Sequence, residues 1–289
     1  MNVIFVCTGN TCRSPMAAAY LNSLLLPGVT AESRGLAAGG EPASRYSVSA
    51  MKNIGIDISS HRSQQFCAAD VNADIIICLG TSHLNMLASA GVPRSKLVLL
   101  SNGISDPFGG NEVVYCRCRD EIISGINNMV DNGVFTPFKS YIMTYDDVPN
   151  AAALEQECFS EPWSERAFKD SLAAGTVFFA VKHNADFAGY AGISVILDEG
   201  YITDVAVKNE FRRKGAASQL IGRIIRLATE KKLSFISLEV RCSNSAAQKL
   251  YEKFGFTVAG KRRGFYRAPA EDAYIMTKRF DWNNENSEH

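Results

Sequence analysis

Apolar and polar positions alternate in two different regimes along this chain. In the first, short apolar runs trade places with longer amphipathic stretches. Residues 3–6, 29–32, 74–79 and 96–100 read as strands, with 74–79 (DIIICL) the most buried in character. Between them, 15–25, 46–54 and a stretch from about residue 82 read as helices, and 112–132 as a long closing helix. Strands that alternate with helices imply a parallel sheet covered on both faces, with ligands at the carboxyl ends of the strands.

The pattern changes after Asp131-Asn132-Gly133. Gly133 is a helix stop, and Pro137 follows shortly, so 135–140 reads as a linker between a domain at 1–134 and another at 141–282. In the second domain, 142–145 reads as a strand, 149–159 and 164–172 as helices, and 177–182, 187–196 and 200–207 as consecutive strands. A helix over 214–231, a strand over 235–240, a helix over 245–254 and a terminal strand pair follow, with a polar tail at 283–289. The expectation is an α/β chain with a parallel-sheet domain followed by a mixed-sheet α/β domain.

Composition narrows the partners. The 289 residues hold 30 Lys plus Arg against 30 Asp plus Glu, so no net field favours nucleic acid or an anionic membrane. No apolar run approaches the roughly 18 residues of a membrane helix, and Met1 leads straight into a strand without a basic leader. A cytoplasmic protein is expected. Eight cysteines in such a chain do not suggest a disulfide framework. Cys7/Cys12 and Cys116/Cys118 are the only close pairs, and the four histidines lie far from them in sequence, so no metal site is expected.

The first candidate chemistry lies between strand 3–6 and the following helix, in Cys7-Thr8-Gly9-Asn10-Thr11-Cys12-Arg13-Ser14-Pro15. Ser14 suits an N-cap and Pro15 a first helical position. Loop N–H groups and the helix dipole then converge on one point, where an anion binds and a Cys7 thiolate is stabilised. Arg13, six residues on, can grip two phosphoryl oxygens at once. Gly9 permits close backbone approach, and Asn10 tolerates an unusual φ.

CTGNTCRSPMA closely resembles the active-site loop of low-molecular-weight protein phosphatases, and Asp106-Pro107 resembles their general-acid loop. The resemblance covers about residues 1–132 and implies a flavodoxin-like fold. It also implies attack on phosphorus by Cys7, leaving-group protonation by Asp106, and hydrolysis of a phosphocysteine. Thr8, Gly9, Asn10, Thr11, Cys12 and Ser14 would line the phosphate, with Asn10, Ser33 and His61 supporting the loop. Tyrosine-specific members mostly carry a bulky aliphatic residue at the Thr11 position, so Thr11 resembles the arginine phosphatase branch. Phosphoarginine in a protein is therefore the first expected substrate and phosphotyrosine the second. An arsenate reductase is a remote alternative, because Cys67 and Cys78 are poor partners for its cysteine relay.

The second candidate is Arg212-Arg213-Lys214-Gly215-Ala216-Ala217-Ser218, between a strand (ITDVAV) and a helix whose Leu220, Ile224 and Ala228 form an apolar stripe. This is another anion cradle at a helix start. The basic tail of that helix, with Arg223, Arg226, Lys231 and Lys232, reads as solvated surface. In 235–240, Ile236, Leu238 and Val240 share one face, which places Glu239 on the other.

Arg212-x-x-Gly215-x-Ala217 resembles motif A of the Gcn5-related N-acetyltransferases. Together with Glu239, Asn244, Tyr251 and Glu161-Pro162-Trp163-Ser164, it resembles their ribosomal-protein-alanine branch over about residues 140–280. The resemblance implies Glu239 as a general base acting through water and Tyr251 as the acid for the departing thiolate. Acetyl-CoA, the co-substrate, would lie along Val205, Ala206 and Val207, over Arg213, Lys214, Gly215, Ala216, Ala217 and Ser218, and against Asn244. The acceptor would be the N-terminal peptide of a protein, a ribosomal protein for instance. A chain in which one half is only a binding module is the alternative, against which both sets of residues are intact.

Overall fold

The computed structural model describes residues 1–282; the expected polar tail at 283–289 lies outside them. The chain divides into two units, Met1–Val130 and Asp131–His289.

In the first unit, β1 (Asn2–Cys7), α1 (Arg13–Ser23), β2 (Thr30–Gly35), α2 (Arg45–Lys52), β3 (Ile75–Cys78), α3 (Thr81–Ser89), β4 (Leu97–Leu99) and α4 (Glu112–Asp131) follow one another. The strands form a parallel sheet in the order β2-β1-β3-β4. Helices on both faces bury β1 from Val3 to Cys7, with Val3, Phe5 and Val6 fully enclosed. Because the chain runs from β1 out to β2 and then back past β1 to β3, the sheet order reverses between β1 and β3. The carboxyl ends there open into a crevice, and Cys7 stands at its base.

The second unit contains β5 (Lys139–Ile142), α5 (Val148–Cys158), α6 (Glu165–Ala173), β6 (Val177–His183), β7 (Asp186–Ile196), β8 (Glu199–Val207), α7 (Ala216–Glu230), β9 (Phe235–Arg241), α8 (Ser245–Lys253), β10 (Thr257–Arg267) and β11 (Ala270–Arg279). Its seven strands lie in the order β10-β11-β9-β8-β7-β6-β5. All neighbours are antiparallel except β8 and β9, which run parallel and pair only from Glu199–Tyr201 against Phe235–Ser237. Beyond Tyr201, β8 stays with β7 and parts from β9, so the sheet splays. Where β8 begins to part from β9, Thr203 and Asp204 together oppose the single residue Gly192 of β7. A Cβ at Gly192 would sit 2.4 Å from Thr203 Oγ1 and 2.6 Å from the Phe178 ring, so only glycine fits.

The stretch 135–140, expected as a linker, is built into the second unit. Phe135 and Phe138 are buried, and Lys139 and Ser140 open β5. The strand expected over 142–145 therefore begins three residues earlier, and a turn of 3₁₀ helix over Tyr145–Asp147 replaces its end. The helix expected from Lys214 starts at Ala216, because Arg213 and Gly215 hold left-handed φ angles. Arg223 and Arg226 are not solvated surface: both are largely covered and pair with Asp131, the first residue of the second unit. Lys231 and Lys232 are exposed as expected.

One apolar cluster packs α5 and α6 onto the sheet. Phe168 of α6 is fully buried, with ring centroids 5.4 Å from Phe178 and 5.3 Å from Tyr190. Truncating such a ring costs about 3–5 kcal/mol. The Phe168→Ala variant should lose that much in urea unfolding followed by tryptophan fluorescence, which reads the second unit alone because Trp163 and Trp282 both lie there. A loss below about 1 kcal/mol would show that this cluster does not hold the unit together.

Candidate active sites

The first site grows from the crossing between β1 and α1. Only Thr8 to Cys12 separate the buried strand end from the helix, so the loop must turn tightly. Asn10 takes the turn with a φ of 55°, and its fully buried amide holds the loop in place. Asn10 Nδ2 donates to Ser14 Oγ and to Ser33 Oγ, each at 2.9 Å, and Asn10 Oδ1 accepts from the Gln64 N–H at 2.8 Å. His61 Nε2 lies 2.8 Å from the Asn10 carbonyl. Asn10, Ser33 and His61 are thus brought together as expected.

Cys7 Sγ is buried and lies 3.0 Å from Ser14 Oγ. Ser14 does not cap α1, contrary to the sequence expectation. The helix begins two residues earlier, at Arg13, with Cys12 at the cap position and Pro15 third in the helix. Ser14 instead turns its hydroxyl inward onto the sulfur. Arg13, almost wholly buried, donates from Nη1 to the Ile104 carbonyl at 3.1 Å and from Nη2 to Asp106 Oδ2 at 2.5 Å. That pair brings the two ends of the first unit's motif together across 93 residues. Asp106 remains half-exposed. Thr11 is half-buried on the loop, with Oγ1 3.5 Å from Cys12 Sγ, and Cys12 Sγ lies 3.4 Å from the Tyr115 hydroxyl.

Sequence reasoning missed His83. It sits in the first turn of α3, buried, with Nε2 2.9 Å from Thr8 Oγ1 and Nδ1 without a partner. Burial, together with the Arg13 charge, lowers its pKa, so it stays neutral. The available signal was a histidine just past the carboxyl end of β3, on the side of the sheet where ligands bind.

The second site lies where β8 and β9 separate. Val205, Ala206 and Val207 occupy the splayed end of β8, paired with β7 on one side but with no β9 partner on the other. The crossing to α7 passes Arg213 (φ 62°) and Gly215 (φ 102°). No side chain caps α7, so the N–H groups of its first turn, at Ala216, Ala217 and Ser218, have no intrahelical acceptor. Arg213 and Lys214 are exposed beside them. Arg212 turns away and donates from Nε to the Val207 carbonyl at 2.9 Å.

Across the cleft, Glu239 points away from the buried Ile236, Leu238 and Val240 as expected, and Arg262 Nη1 holds it at 2.7 Å. Tyr251 of α8 is buried, and its phenol is pushed well above the ordinary range, first by desolvation and then by Tyr266 and Asp204. Tyr266 donates to the Glu239 carbonyl at 3.4 Å and stacks under Arg241 at 4.1 Å. Asn244 caps α8, accepting the Ala247 N–H at 3.1 Å.

The family model for low molecular weight phosphotyrosine protein phosphatases matches residues 2–132, and that for the GNAT acetyltransferase family matches residues 148–256. The chain is 38% identical to a protein-arginine-phosphatase of Geobacillus stearothermophilus, over 45% of this chain and 93% of that one. A low molecular weight protein-tyrosine-phosphatase of Staphylococcus aureus is 33% identical over 45% of this chain and 98% of that one. A ribosomal protein bS18 alanine N-acetyltransferase of Escherichia coli K12 is 35% identical over 45% of this chain and 89% of its own length. The chain belongs to both families. It is a fusion of a low-molecular-weight protein phosphatase with a GNAT acetyltransferase, one enzyme in each unit.

Among the described residues, no helix is long and apolar enough to cross a membrane, and no group of three or more His, Cys, Asp or Glu side chains is placed to hold a metal ion.

In the phosphatase unit, a hydrogen bond to a charged sulfur contributes about 1.5–3 kcal/mol. Ser14→Ala should therefore slow alkylation of Cys7 by iodoacetamide at pH 7 by about tenfold or more, read by mass spectrometry of the Cys7 peptide. An unchanged rate would remove Ser14 from any part in activating the thiol.

Proposed function

We propose that the phosphatase unit hydrolyses phosphoarginine in proteins and that the acetyltransferase unit acetylates the N-terminal alanine of a protein, with acetyl-CoA as co-substrate. In the first reaction Cys7 attacks phosphorus, while the loop N–H groups and Arg13 hold the phosphoryl oxygens. Asp106 protonates the leaving nitrogen and then serves as base for the water that opens the phosphocysteine. Asp106 is suited to both tasks, since it is half-exposed and paired with Arg13 of the loop.

The observation that carries the choice of phosphoarginine is Thr11. Its half-buried hydroxyl stands in the loop between Cys7 and Arg13, where it can accept a guanidinium N–H. The relative named as a protein-arginine-phosphatase supports the same reading. Phosphotyrosine is the second reading, favoured by the relative named as a protein-tyrosine-phosphatase.

In the second reaction the open end of β8 and the start of α7 receive acetyl-CoA. Glu239, acting through water, removes a proton from the attacked nitrogen, and Tyr251 protonates the departing thiolate. A raised phenol pKa suits Tyr251 to remain protonated until that step. The relative that acts on ribosomal protein bS18 supports an N-terminal alanine as acceptor. Substrates of these two kinds support a cytoplasmic location.

Leaving a guanidinium donor unpaired costs about 1–3 kcal/mol, or roughly 5- to 150-fold in rate. Thr11→Ile should lower kcat/KM on phosphoarginine peptides by that factor while sparing or raising it on phosphotyrosine peptides. A wild type that already prefers phosphotyrosine, or a variant that loses both activities equally, would replace the arginine reading with the tyrosine one.

A further inference from the structure

An amine arriving at neutral pH carries three protons and must lose two before it is an amide. Glu239 can account for one of them, and it is already engaged by Arg262. The acetyltransferase unit holds a second carboxylate at the cleft, and the mechanism above leaves it without a task.

Asp204 lies on β8 where that strand begins to part from β9. The pairing of β8 with β7 skips there, so that Thr203 and Asp204 share one partner position opposite Gly192. Such a bulge turns a side chain out of the regular alternation and is common beside active sites. Asp204 is half-buried, yet it makes no hydrogen bond or ion pair with the described residues, and neither of its oxygens is sealed from solvent. A carboxylate so enclosed normally finds a partner, because an unpaired one is costly to bury.

Its surroundings come from four elements. Glu155 of α5 is fully buried and bonded by the Tyr190 hydroxyl and by the Trp163 N–H at 2.8 Å. Tyr190 of β7, Tyr251 of α8 and Tyr266 of β10 all respond to the Asp204 charge. No basic side chain is among the groups acting on Asp204. The site is therefore anionic, and its charge reaches Tyr251, the proposed acid of the transfer step.

We propose that Asp204 is a catalytic residue that receives the substrate ammonium and removes its first proton. This rests on the acetyltransferase reading above. The Asp204 carboxylate takes one proton from R–NH₃⁺, leaving R–NH₂ with a free electron pair. That pair attacks the thioester carbonyl, the C–N bond forms, and the nitrogen passes its second proton through water to Glu239. The C–S bond then breaks, and the thiolate takes the phenolic proton of Tyr251, which Glu239 restores. Asp204 gives its proton to solvent, so each turnover yields one amide, one thiol and one released proton.

Desolvation, with Glu155 adding to it, raises the Asp204 carboxyl to about 7. That is close to the ordinary range of an α-amine, about 7.7–8.0, and so suits exchange of a proton with it. A lysine side chain, at about 10.4, would transfer its proton far less readily. The inference thus also accounts for selection of an N-terminal amine over a lysine.

The test measures kcat against pH for the full chain with acetyl-CoA and an alanine-terminated peptide, comparing the wild type with Asp204→Asn. Wild-type kcat should rise through a limb near pH 7. In D204N that limb should be lost, with kcat at pH 7.5 lowered about 10²–10⁴-fold, while acetyl-CoA binding and tryptophan fluorescence stay as in the wild type. Asp204→Glu, which keeps a carboxylate, should recover part of the rate and restore a limb. An active wild type whose limb persists in D204N, at a similar rate, overturns the role of Asp204 alone. A wild type that acetylates no amine overturns the acetyltransferase reading and this inference with it.

Discussion

A helix begins with N–H groups that its own backbone cannot satisfy, and both sites of this protein are built on that constraint. In the phosphatase unit the unsatisfied groups follow β1 directly, so an anion bound there lies against Cys7. In the acetyltransferase unit they follow β8, so an anion bound there lies beside a strand end that the splayed sheet leaves open. Each crossing needs backbone angles that side chains disfavour. Asn10 supplies them in one and Arg213 with Gly215 in the other. The strain at Asn10, of order 1–3 kcal/mol, is offset by the buried hydrogen bonds from its amide to Ser14, Ser33 and Gln64.

The two sheets position these crossings differently. In the parallel sheet a reversal of strand order makes the crevice, and every strand remains paired. In the mixed sheet the pairing itself fails: β8 and β9 begin together and separate after Tyr201 and Ser237. On the other side of β8, Gly192 leaves room for Thr203 and the Phe178 ring at the bulge. Asp204 stands at the same irregularity, so a carboxylate lies where β8 parts from β9.

Much of this was legible in the chain. The alternation of short apolar runs with amphipathic stretches reports the order of elements, since burial on one or both faces imposes those periods. Cys7 to Ser14 and Arg212 to Ser218 stand out because anion cradles need small, polar and basic residues at a strand-to-helix turn. Long-range partners were less legible. Nothing near His83 shows that it meets Thr8, and nothing near Glu239 shows that Arg262 holds it. Ser14 has the composition of a cap, but Cys7 is a closer use for its hydroxyl. Phe135 and Phe138 sit beside Gly133 and Pro137 and so read as linker, yet their rings are worth burying, and the strand starts early as a result. Asp204 was passed over, although it stands as a lone carboxylate inside the apolar strand ITDVAV.

The central claim is that one chain carries two separate chemistries, each with its own nucleophile or base. The most direct measurement assays phosphopeptide hydrolysis and acetyl transfer side by side in the Cys7→Ser protein. Phosphatase turnover should be abolished and acetyl transfer retained at the wild-type rate. Loss of acetyl transfer in a variant that still shows wild-type tryptophan fluorescence would contradict the two-site account.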